Sequence, residues 1–231
     1  MGRYKKVFGI AGMTGAAVCA AALAVSAIMQ GFSPLYGFIA QLGAYPGRAI
    51  VASPALLMNA GLILFGLTFG VYMFFRGWHE ATPARTVLGI FGVLAGLLAA
   101  AMAMYTMNNA VIHFMASGGF YAAVFVLSVL YIVFAVLRFI KLQMATLIVA
   151  FLAGLSSAAF ALFVLTGNMA QTLAMQSVDA AKSVEPFALV GLGALVLTLA
   201  FAIMLAAEVL GGENTSSAAT TQKRKVREIA F

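Results

Sequence analysis

The chain has 231 residues, of which 64% are hydrophobic and only 8% charged, and its mean hydropathy is +1.08. A water-soluble domain cannot hide that much apolar surface behind so few ionised side chains, so the bilayer must be the solvent. The net charge of +7 would elsewhere suggest nucleic acid; here the basic residues form collars at the ends of apolar runs and a terminal cluster, which topology and anionic headgroups explain, and no nucleic-acid partner is expected.

Six apolar runs, at about 7–29, 55–75, 86–105, 118–137, 144–165 and 187–210, carry the architecture. Each can cross a hydrocarbon core of roughly 30 Å as a helix of about 20 residues. Barrel strands would alternate apolar and polar residues, whereas these runs are apolar on every side. The expected fold is all-α: a six-helix transmembrane domain over residues 1–210, followed by a flexible basic tail over 211–231.

The first run follows Arg3, Lys5 and Lys6 and ends near Val25-Ser26-Ala27, which resembles a secretory signal with a small-residue cleavage site. It is longer than the roughly 7–15 apolar residues of a signal's central region, so a retained helix is expected. Its Cys19 is the sole cysteine, with no partner in the chain for a disulfide or a thiolate metal site. Residues 30–54 follow, too apolar for a free loop and too rich in Gly and Pro for a spanning helix. They are expected to fold over the bundle as a cap that buries Tyr36, Phe38, Ile39 and Leu42.

The second and third runs contain Gly66 with Gly70 and Gly92 with Gly96, small residues four apart that let helices approach closely. Between these runs lie Arg76, Trp78, His79, Glu80 and Arg85, read as an interfacial turn. Asn108, Asn109 and His113 precede the fourth run. Between the fifth and sixth, the apolar Met169, Leu173 and Val178 stand at helical spacing opposite Gln171, Gln176, Asp179 and Lys182, the pattern of an amphipathic helix at the interface. Glu208 is one turn from the end of the last run, expected to reach the interface or to pair with Arg138 or Lys141. The tail ends in Lys223-Arg224-Lys225-Val226-Arg227, a cluster suited to anionic lipid.

Orientation follows from the basic residues. Eleven of the thirteen lie on the side of the two termini; Arg48 and Lys182 lie on the other. The positive-inside rule makes both termini cytoplasmic, and the cytoplasmic (cell) membrane is the expected location.

Ionisable groups inside a membrane are expensive and mark function by default, and this chain has few. His79 and His113 fall on opposite sides, so they share no metal, and neither a His-Glu-x-x-His nor a phosphate-binding Gly-rich loop occurs. No cofactor is called for. The one concentration of hydrogen-bonding side chains at a common level is Arg48, Asn59, Asn108, Asn109 and His113, on the side away from the termini. It reads either as a polar cluster tying loops together or as a headgroup pocket, with the Arg48 guanidinium as natural anion ligand.

At these residues the chain resembles the DRAM/FRAG-type six-helix membrane proteins and related bacterial and archaeal families. The stretches that carry the likeness are Ile39-Ala40-Gln41-Leu42-Gly43, Leu57-Met58-Asn59-Ala60-Gly61 with Leu64-Phe65-Gly66, and His113-Phe114-Met115-Ala116-Ser117-Gly118-Gly119-Phe120. It covers roughly the first 140 residues. Where the family pattern has a hydroxyl and a carboxylate, this chain has Ala40 and Gln41, so the acidic partner that would orient His113 is missing. The resemblance implies lipid-related work.

Three functions stay open at this point. The first is a non-catalytic membrane protein that binds a lipid or a membrane partner subunit through the outer cap, with a homo-oligomer as the other partner considered. The others are a lipid-modifying enzyme using His113 with Asp179 or Glu185, and a small-solute transporter.

Overall fold

A computed structural model describes residues 2–31, 42–43, 54–80, 82–106, 109–166 and 185–229, with the side chains of 2–3, 110, 185–187 and 211–229 left outside the description. The described residues form six helices and no strand: α1 Gly2–Met29, α2 Pro54–Glu80, α3 Pro83–Met104, α4 Ala110–Val136, α5 Met144–Leu165 and α6 Glu185–Ile229. All six are long and apolar enough to cross a membrane, and the chain is a six-helix polytopic membrane protein. The cap over 30–54, apart from residues 30–31, Leu42, Gly43 and Pro54, and the amphipathic helix expected around 169–182 lie outside the described residues.

Helix ends differ from the apolar runs where polar side chains find partners. α2 continues to Glu80, five residues past the expected end, because Arg76 pairs with Glu80 one turn on and Glu80 pairs with Arg85 of α3. α4 begins at Ala110, eight residues before the apolar run, because His113 satisfies its ring nitrogen on main-chain carbonyls and so can enter the helix. α6 runs through Gly211 and Gly212 into the segment expected as a tail, which contains no proline to stop it.

Local chemistry fixes the turns. At the start of α3, Thr82 is extended and its hydroxyl accepts the N–H of Arg85 at 3.3 Å, with Pro83 as first helical residue. α4 ends in a Schellman motif. Arg138 takes the left-handed conformation with φ 61°, the Phe139 N–H reaches the Phe134 carbonyl at 2.8 Å, and the two phenyl rings pack edge to face.

The helices pack in sequence order, each on the next, and α6 returns to pack on α1, which closes a ring. Long aromatic side chains fill its centre. The Tyr72 hydroxyl crosses from α2 to the Leu205 carbonyl of α6 at 2.8 Å, and Tyr131 of α4 packs edge to face on Phe201. Outside the ring, Leu67, Ile90, Leu97, Leu155 and Leu162 are exposed, as a lipid-facing surface requires. Since lipid tails are as apolar as leucine, burial alone does not hold such helices together, and close backbone approach matters more. It is tightest at Gly66 of α2 and Gly96 of α3, where a Cβ on either would collide with the other's carbonyl oxygen.

Candidate functional site

At the end away from the termini, polar side chains hold main chain. Ser26 near the end of α1 donates to the Pro54 carbonyl at 2.7 Å, and Gln30 donates to the Leu42 carbonyl at 3.0 Å. The Asn59 amide on α2 is buried and donates to the Gly43 carbonyl at 3.0 Å. Any side chain at position 43 would bring its Cβ to 2.6 Å from the Asn59 amide oxygen, so the contact requires glycine there. Leu42 is 1% exposed. At this point the expected cap does pack on the bundle; its Tyr36, Phe38 and Ile39 lie outside the described residues.

His113 is buried in the first turns of α4, with Nδ1 2.9 Å from the Met102 carbonyl and 2.7 Å from that of Tyr105. Both partners are acceptors, so Nδ1 carries the proton and is shared between them. The ring thereby occupies orphan carbonyls at the end of α3, a C-terminal cap supplied by the next helix. Asn109 is the N-cap residue of α4, exposed and without a side-chain capping bond. Of the five expected site residues, Asn59 and His113 are each engaged with a different neighbouring segment, Asn109 faces outward, and Arg48 and Asn108 lie outside the described residues. So do Asp179 and the Glu185 side chain, the carboxylates of the enzymatic reading.

The end that carries the termini holds a denser arrangement. Tyr72, Arg76 and Glu80 are spaced four apart on α2 and so share one face. Arg76 Nη1 donates to the Tyr72 hydroxyl at 2.7 Å, while its Nε stands 3.8 Å from Glu80 Oε1. Lys5 Nζ of α1 is 3.9 Å from the same oxygen, and Arg85 Nε of α3 is 2.7 Å from Glu80 Oε2. Three cations thus surround one carboxylate. Arg76 Nε and Arg85 Nη1 are buried and have no hydrogen-bond partner. A narrow cleft between α1, α2 and α6 opens on this cluster, walled by Phe8, Phe75 and Val209. In the sequence these residues fall in separate collars and an interfacial turn. The signal that joins three of them is the Tyr-x3-Arg-x3-Glu spacing, which places a phenol, a guanidinium and a carboxylate in one row.

Among the described residues no group of three or more His, Cys, Asp and Glu is arranged to hold a metal ion. Comparison with protein-family models, with curated proteins and with solved structures finds no match to the chain.

Proposed function

We propose that the chain is a non-catalytic protein of the cytoplasmic membrane that binds a lipid in the leaflet away from its termini, beneath the segment that follows α1. The observation that carries this reading is a lateral groove between α1 and α6. Leu23, Ala24 and Ala27 line it from one side and Val196, Ala200 and Ile203 from the other, and it holds about 470 Å³. That lies within the ~300–1,000 Å³ of ligand pockets. The alanines keep both walls low, and the groove lies within spans that face hydrocarbon, where an acyl chain is the ready occupant. Ser26 and Gln30, beside its α1 end, tie down Pro54 and Leu42, which would set polar main chain at headgroup level. The likeness to DRAM/FRAG-type proteins supports the same reading. The enzymatic and transport alternatives have no comparable observation behind them, since His113 Nδ1 serves two carbonyls and the six spans are continuous helix.

The test is native mass spectrometry of the full chain released from detergent. The wild type should retain a phospholipid, and the groove-filling Ala24→Trp and Ala200→Trp variants should lose it while remaining folded. Unchanged retention would overturn the proposal, and loss of a dimer instead of a lipid would assign the groove to a second copy of the chain.

A further inference from the structure

The geometry points to a second site, independent of the groove: the cleft formed by Lys5, Arg76 and Glu80 at the end carrying the termini binds a phosphate-bearing anion, and we propose that this anion is the headgroup of an acidic phospholipid. The first argument is charge. Lys5, Arg76 and Arg85 against Glu80 give 3 − 1 = +2 at the edge of an apolar bundle. Such an excess is costly beside hydrocarbon unless an anion joins it.

The second argument is hydrogen bonding. At 3.9 and 3.8 Å, Lys5 Nζ and Arg76 Nε are attracted to Glu80 Oε1 but are too far to donate to it. Arg76 is held in place, since Nη1 is fixed on the Tyr72 hydroxyl and that hydroxyl on the Leu205 carbonyl. Its Nε, in a side chain 7% exposed, is a buried donor with no acceptor. Glu80 is meanwhile drawn the other way by its 2.7 Å contact with Arg85. A phosphate oxygen between Lys5 and Arg76 would supply the acceptor that Arg76 Nε lacks and meet the Lys5 ammonium at the same point, and charge-assisted bonds of this kind are among the strongest available.

The third argument is the setting. The cleft is walled by Phe8, Phe75 and Val209. Apolar walls around a cationic floor suit a headgroup whose chains continue into the bilayer. With the termini cytoplasmic, the site faces the leaflet rich in anionic lipid.

Native mass spectrometry of the full chain with added phosphatidylglycerol, against phosphatidylcholine as control, reads the site directly. A parallel thermal-shift titration with inorganic phosphate tests the headgroup chemistry without a lipid. Lys5→Gln, at a half-exposed position that folding tolerates, should weaken phosphatidylglycerol binding about tenfold, the scale of one hydrogen bond to a charged group. Glu80→Gln removes the resident anion and should strengthen binding, whereas a purely structural cluster would be loosened by it. The basic tail is common to all variants, so only differences between them count. Phosphate binding with the same variant pattern, in the absence of any preference for phosphatidylglycerol, would keep the site and reassign it to a free anion. Equal binding by wild type and Lys5→Gln, weaker binding by Glu80→Gln, or the same variant pattern seen only with an acidic peptide would overturn the proposal. The Ala24→Trp and Ala200→Trp groove variants should behave as wild type here, so the two lipid readings stand or fall separately.

Discussion

Glu208, on the last turns of the α6 span, caps the start of α5 through Gln143: its Oε1 accepts the Gln143 main-chain N–H at 2.9 Å and the Thr146 hydroxyl at 2.5 Å. The carboxylate therefore faces the N-terminus of a helix, where four N–H groups lack partners and the dipole favours a negative charge. This contact takes the place of the pairing with Arg138 or Lys141 that sequence position suggests. Gln143 offers no capping bond from its own side chain, so the cap comes from a residue 65 positions away.

Glu208→Ala should accordingly destabilise the bundle by about 1–2 kcal/mol, the range of a lost cap, with faster amide exchange confined to the first turn of α5. Glu208→Gln should cost less, since it keeps an acceptor and loses only the charge. Exchange measured by mass spectrometry on the detergent-solubilised chain resolves both. A Glu208→Ala variant with wild-type exchange at 143–147 would show that the cap contributes nothing.

The glycines of α2 and α3 give a prediction that discriminates between neighbours. Gly66→Ala should cost about 1–3 kcal/mol, the usual penalty of overpacking, because its Cβ would meet the Gly96 carbonyl and the Ala100 main chain, neither of which can turn aside. Gly70→Ala should be nearly neutral, since its nearest neighbours would be 3.9 Å away at ordinary contact distance. Unfolding in a denaturing detergent, followed by circular dichroism, measures the difference. Equal effects at the two positions would mean that the close approach at Gly66 does not govern how α2 and α3 associate.

These same residues mark what sequence alone could give. Runs of apolar residues specify the six spans because length and hydropathy suffice for that, and the Gly-x3-Gly pairs specify that α2 and α3 come close. Which glycine meets which depends on register, so the Gly66 to Gly96 contact, and the second close approach of Gly77 to Gly89, emerge only in the fold. The apolar run alone leaves His113 ahead of its helix. The carbonyls that accept from it belong to α3, and a partner eight to eleven residues back cannot be read from hydropathy. The burial of Leu42 was legible, because an apolar residue in a Gly- and Pro-broken segment has to be covered by something. The convergence of Lys5, Arg76 and Arg85 on Glu80 was not, since three helices contribute to it.

Orientation is the remaining prediction, and the phospholipid reading of the Lys5–Arg76 cleft depends on it. Eleven of thirteen basic residues lie on the side of the termini, and each basic residue retained in the cytoplasm biases the threading of the helices beside it. Single cysteines placed at Ser53 and Ser217 report the two sides. The native Cys19 is fully buried and should remain silent toward a membrane-impermeant maleimide. Ser53→Cys should be labelled in intact cells, and Ser217→Cys only after the membrane is opened. The reverse pattern would move the α1–α6 groove to the cytoplasmic leaflet and the Lys5–Arg76 cleft to the outer one. The anionic surface that favours a phospholipid headgroup in that cleft would then be on the wrong side of the membrane.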